Sequence, residues 1–132
     1  MSRRQCAAVP FRRGPSGPEI LLVTSRKRGR WIVPKGNVES DLGARATAAL
    51  EAFEEGGVSG DVHPGPFGCY HHDSNGLVDV FLLAVGDEHA AWPEDEARER
   101  RWVRAGEAAE KVEVAGLGPI LDAAAARIRR AA

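Results

Sequence analysis

Cysteine, aromatic residues and long apolar runs are all scarce in this chain. Only Cys6 and Cys69 occur among 132 residues, far apart and without a Cys-x-x-Cys spacing. That sets aside a disulfide framework or a zinc site and leads us to expect reduced thiols in a cytoplasmic protein. No apolar stretch approaches the roughly 18–20 residues of a membrane span, and the start, Met1-Ser2-Arg3-Arg4, leads toward a strand without a signal-peptide core. Aromatics make up 6% of the residues, and no pair is placed to sandwich a nucleobase. Tyr70 and Phe67 could stack on one, but core packing suits both better. What is present is the length of one ordinary domain, residues 1–132, able to bury a core.

A formal net charge of −1 hides a split. Residues 1–35 carry nine Lys/Arg against the single acid Glu19, and the remainder carries nine against eighteen acids. One basic surface and one acidic surface suit a polyanion held between cations and a carboxylate-bound metal. Nucleic acid would also use a basic surface, but no helix-turn-helix, finger or aromatic-basic signature accompanies it.

The acids have a pattern. Residues 51–57 read Glu-Ala-Phe-Glu-Glu-Gly-Gly. Glu51, Glu54 and Glu55 stand at i, i+3 and i+4, so a helix projects them from one face. Gly56 and Gly57 stop that helix, which leaves the acids at its C-terminal end. There the macrodipole disfavours each by about 0.3–1 kcal/mol. Divalent cations bound through oxygen would reverse the penalty. Upstream, Leu42, Ala46, Ala49, Leu50 and Phe53 recur at helical spacing and are expected to form the buried side, away from the acids. Ser40 or Asp41 can cap the start.

A short strand, Trp31–Val33, precedes Pro34-Lys35-Gly36 and a polar loop from Asn37 to Asp41. The stretch GNVESDLGARATAALEAFEEGGV resembles the signature of the Nudix hydrolase family, which runs Gly, five residues, Glu, seven residues, Arg-Glu-hydrophobic-x-Glu-Glu-x-Gly-hydrophobic. Gly36, Glu51, Ala52, Glu54, Glu55, Gly57 and Val58 stand at their motif positions, seven of nine. Leu42 and Leu50 stand where the family has its first Glu and its Arg. Those two pair with each other in the family, so the double change reads as an ion pair exchanged for packed leucines.

The resemblance implies an α/β/α sandwich with a mixed β-sheet and a strand-loop-helix-loop catalytic motif. It implies hydrolysis of a phosphoanhydride bond with Mg²⁺ or Mn²⁺ held by Glu51, Glu54, Glu55 and the main chain of Lys35 or Gly36. Glu51 and Glu54 become the candidate catalytic residues, with Glu54 favoured as the base. Glu94, Glu96 or Glu99 could serve instead, as in relatives that take the base from a distant loop, and His71 and His72 are strand residues or proton carriers at even odds. Trp31-Ile32-Val33-Pro34 and the segment from Trp92 to Trp102 look most like the branch hydrolysing diphosphoinositol and diadenosine polyphosphates. That branch grips phosphate chains with cations, for which Arg3, Arg4, Arg26, Arg28 and Arg98 are the counterparts. The expected partner is a small phosphoanhydride substrate rather than nucleic acid or a membrane, and the protein a monomer or homodimer. A nucleotide sensor without turnover and a nucleoside triphosphate pyrophosphohydrolase are the alternatives.

The remaining elements follow from pattern. Gln5–Phe11 and Glu19–Thr24 read as strands around the turn at Gly14–Pro18, and Leu77–Val85 as a strand after Asn75-Gly76. Val62–His72 reads as a strand broken at Pro64 and Pro66, and Arg101–Arg104 as the last short one. Residues 86–98 form an acidic loop. Ala105–Val112 and Leu117–Arg130 are helical, the second with a stripe through Ile120, Leu121, Ala124 and Ile128.

Overall fold

A computed structural model describes residues 4–72 and 76–130. Its first two strands, β1 (Gln5–Gly14) and β2 (Gly17–Thr24), form a hairpin in register from Phe11↔Ile20 to Gly14↔Gly17. Gly17 takes φ 116° at the turn, a conformation open to glycine. Then come β3 (Trp31–Ile32), β4 (Lys35–Asn37), helix α1 (Gly43–Gly56), β5 (Val58–Val62), β6 (Gly68–His71), β7 (Leu77–Glu88) and β8 (Arg100–Arg104). A 3-10 turn (Ala105–Glu107), the short helix α2 (Ala108–Lys111) and α3 (Leu117–Arg130) complete the chain.

The strands join one mixed sheet in the order β3-β2-β1-β7-β5, with β4 on β1, β6 on β7 and β8 on β2. β1 and β7 run parallel and the other pairs antiparallel. Alternation along the central strands builds two cores. Cys6, Ala8, Leu21, Phe81 and Leu83 face Ala48 and Ala52 of α1. Ala7, Val9, Ile20, Leu22, Val80 and Leu82 face Leu117, Leu121, Ala124 and Ile128 of α3. The sheet lies between helices, the sandwich that the resemblance implied. Tyr70 and Phe67 belong to the α3-side core.

Four expectations need correction. Lys35 and Gly36, with the first residue of the expected polar loop, Asn37, form a strand. Lys35–Asn37 pairs with β1 through Ala7↔Lys35, Cys6↔Gly36 and Gln5↔Asn37, a long-range pairing that a run without apolar alternation does not announce. The buried face of α1 is Thr47, Ala48, Ala52, Glu55 and Gly56, so Glu55 turns into the core, and Glu51 and Glu54 are half-buried. Ala48 and Ala52 are small enough to bring the helix close to the sheet, and the bulkier side chains are displaced to the flank. Leu42 is accordingly 44% exposed and Leu50 half-buried, so the two are not a packed replacement for an ion pair. Nor does Ser40 or Asp41 cap the helix. Leu42 holds the N-cap position with no side-chain bond, and Thr47 Oγ1 instead takes the Glu39 N–H and donates to the Gly43 carbonyl. Asn75 lies outside the described residues.

Candidate active site

Three pieces of backbone bring the acids together. β4 places Gly36 beside α1, where a Cβ on Gly36 would stand 2.5 Å from the Glu51 carboxylate. The glycine therefore leaves the space that Glu51 occupies. One residue earlier, the Lys35 N–H donates to Glu55 Oε1 at 3.2 Å. Glu55 and Glu51 stand one turn apart on α1 and act on each other electrostatically. Burial, with Glu51 adding to it, pushes Glu55 up to about 8, while Arg98 and the Lys35 N–H pull the other way. Burial also raises Glu51, with the charges of Glu54, Glu94 and Glu39 reinforcing it.

Arg98 balances the cluster. Its guanidinium lies 3.4 Å from Glu55 Oε2, donates through Nε to Glu94 at 2.8 Å and through NH1 to the Thr24 carbonyl at 2.9 Å. Arg98 therefore holds Glu55 and also lines the cleft described below. Arg4 is bound to Asp79 at 2.6 Å and does not line the cleft described below. Arg3 lies outside the described residues.

Arg26 and Arg28 do converge with other cations. Ser25 and Arg30 close a tight loop: the Ser25 N–H donates to the Arg30 carbonyl at 2.7 Å, and the Arg30 N–H to Ser25 Oγ at 3.0 Å. Gly29 turns within it at φ 63°. The loop fans Arg26, Lys27, Arg28 and Arg30 around a cleft of about 630 Å³ that Lys35, Arg98, His72, Ile32 and Val114 also line. No Phe, Tyr or Trp is among its lining residues. The cleft reaches the acids through Lys35 and Arg98, both of which contact Glu55.

Glu54 is half-buried and its carbonyl accepts the Glu94 N–H at 3.0 Å. Among the described residues no three His, Cys, Asp or Glu side chains are already gathered as a metal site. The donor chemistry nevertheless fits a hard divalent cation. It is all oxygen, Glu51 and Glu55 stand one turn apart, and a glycine leaves room at Glu51. Sequence reasoning missed Trp92 and Arg100. Arg100 stacks its guanidinium 3.9 Å over the Trp92 ring, and both bond the end of α1. The one hint was that the last turn of α1 carries no base of its own.

A carboxylate helix and a cationic cleft, joined at the edge of a sheet between two helical layers, define the class. Residues 2–124 match the model of the NUDIX domain, and the chain belongs to that family. It is 31% identical over 130 residues to Nudix hydrolase 21, chloroplastic, of Arabidopsis thaliana, covering 92% of this chain and 65% of the relative. It is 29% identical over 105 residues to diphosphoinositol polyphosphate phosphohydrolase 2 of Rattus norvegicus, covering 77% of this chain and 58% of the relative. The chain thus spans under two-thirds of each of these relatives. A C. elegans Ap4A hydrolase, solved as a binary complex, superposes with TM-score 0.78 at 20% identity, covering 93% of this chain and 96% of that one. Among the described residues no helix is long and apolar enough to cross a membrane.

Proposed function

We propose that the protein hydrolyses a phosphoanhydride bond in a polyphosphate small molecule of the dinucleoside polyphosphate or diphosphoinositol polyphosphate type, with Mg²⁺ or Mn²⁺. The observation that carries this reading is the cleft ringed by Arg26, Lys27, Arg28, Arg30 and Lys35 that abuts Glu55. Five cations in one cleft suit several phosphates in a row, Arg through paired hydrogen bonds and Lys as a point charge. The rat relative's name is that of a diphosphoinositol polyphosphate hydrolase and the structural neighbour's that of an Ap4A hydrolase, which agrees with this substrate class.

Glu51, Glu54, Glu55 and the main-chain carbonyl of Lys35 or Gly36 would hold the cation, which when bound supplies charge neutralisation on the phosphate oxygens. The chain's own part is distinct. The basic loop orients the phosphates, Arg98 keeps Glu55 in place, and Glu54, half-buried beside Glu51, is positioned to take the proton of the attacking water. A cytoplasmic location belongs to the same proposal.

The test is a panel of diadenosine tetraphosphate, nucleoside triphosphates, ADP-ribose and a diphosphoinositol phosphate, assayed with and without Mg²⁺. Cation-dependent turnover of diadenosine tetraphosphate or of the diphosphoinositol phosphate, in preference to the other members, is expected. Preference for nucleoside triphosphates would reassign the substrate. Binding without turnover of any member would make the protein a sensor.

A further inference from the structure

A helix leaves its last four carbonyls without partners inside the helix. In α1 these belong to Phe53, Glu54, Glu55 and Gly56, the turn that carries two of the acids. The Gly57 N–H, in a left-handed conformation, reaches Phe53 at 3.0 Å. The other three partners come from one distant segment. The Glu94 N–H donates to Glu54 at 3.0 Å, the Trp92 indole N–H to Glu55 at 3.0 Å, and Arg100 NH1 to Gly56 at 3.0 Å. The His89 N–H then takes the Gly57 carbonyl at 2.8 Å.

The segment is itself braced. Trp92 N–H bonds Asp95 Oδ2 at 3.1 Å, and the carbonyl of Glu94 accepts from both Ala97 and Arg98 at 3.0 Å. Arg100 is anchored in β8 opposite Val23. It also brings positive charge to a helix end that is acidic and has no base of its own. Gly57 is the seat of this contact, because a Cβ there would meet Arg100 NH1 at 2.5 Å and the Trp92 ring at 2.8 Å.

We infer that Trp92 and Arg100 are positioning residues: by tying the carbonyls of Glu55 and Gly56 they set the rotation of the last turn of α1, and with it where the Glu54 and Glu55 carboxylates stand. The inference rests on the reading that these acids hold the cation. A turn left untied frays, and fraying moves the carboxylates before it unfolds the domain.

Mn²⁺ affinity, followed by electron paramagnetic resonance titration of the purified protein, tests it without any substrate, and kcat and KM on diadenosine tetraphosphate accompany it. Trp92→Phe keeps the ring under Arg100 but removes the N–H, and Arg100→Gln removes the charge. Each is expected to weaken Mn²⁺ binding about tenfold or more, the usual effect of losing a group that orients a metal ligand. The fall in activity should lie in kcat with KM within about twofold. Arg100→Lys, which keeps a donor and the charge, should recover part of the loss. Arg104→Gln is the control, since it removes an exposed pair with Glu107 (3.9 Å) without touching the helix end, and should leave Mn²⁺ affinity unchanged. Wild-type affinity in Trp92→Phe and Arg100→Gln, with loss in Glu55→Gln, would overturn the positioning role alone. Wild-type affinity in Glu55→Gln would overturn the metal reading beneath it. If Trp92→Phe does not fold, Arg100→Gln and Arg100→Lys decide the question by the same titration.

Discussion

Arg98 and Glu55 meet at 3.4 Å as a deeply buried ion pair, with side chains only 10% and 6% exposed. Replacing Arg98 by Ala removes the counter-charge of a carboxylate that cannot reach water. Breaking such a pair on one side typically costs about 3–5 kcal/mol. Arg98→Ala should lose stability on that scale in urea unfolding, and Arg98→Met with Glu55→Gln should recover most of it. A loss in the double variant equal to the losses of the Arg98 and Glu55→Gln single variants added together would show that the two residues are not coupled.

Glu54 is the side chain expected to accept a proton. Glu54→Gln keeps shape and hydrogen bonding but not basicity, so kcat should fall about 10²–10⁴-fold with an unchanged thermal melt. Near-wild-type turnover would move the role to another residue, with Glu94 the first alternative because its charge already acts on Glu51.

Leu42 stands at the family's first Glu position yet is 44% exposed. Leu42→Glu should therefore change stability by no more than about 0.5 kcal/mol, as surface substitutions do. Leu50→Arg should also be mild, because Leu50 is half-buried and a long Arg stem can carry its charge outward. A loss of several kcal/mol in either variant would mean that the leucines are core residues after all.

The basic loop has its own test. Arg26→Ala and Arg28→Ala should raise KM more for a tetraphosphate-linked than for a diphosphate-linked substrate, because a longer chain meets more of the loop. Added salt should reproduce the trend in the wild type by screening the same charges. Equal effects on both substrates would make the loop a solvated surface.

Cys6 is fully buried, and burial, with Glu51 and Asp79 adding to it, pushes its thiol up to about 12. A raised thiol stays neutral at every pH below that value, and the neutral form is a poor nucleophile. Of the two cysteines only the exposed Cys69 should react with a thiol reagent between pH 7 and about pH 9 in the folded protein. Two equivalents should react after unfolding in guanidinium. Labelling of Cys6 in the native state would show that α1 leaves the sheet readily.

Local spacing determined a good part of this protein. Glu51, Glu54 and Glu55 at i, i+3 and i+4, the Gly56-Gly57 stop, and the alternation of β1, β2 and β7 were readable because each depends on neighbours within a turn or a pleat. So was the split of charge that puts Arg26 and Arg28 in a basic loop. Tertiary structure alone decided which way α1 faces. The leucines have the apolar spacing, but Ala48 and Ala52 allow the closer approach to the sheet, so Glu55 goes inward and Leu42 outward. It alone made a strand of Lys35–Asn37, whose partner is β1, and it alone made Arg98, which lines the cleft, the counter-ion of Glu55 as well. Trp92 and Arg100 reach the end of α1 from some forty residues further along the chain. Hydrogen bonds over that separation depend on how the whole sheet is assembled, and no local pattern encodes them.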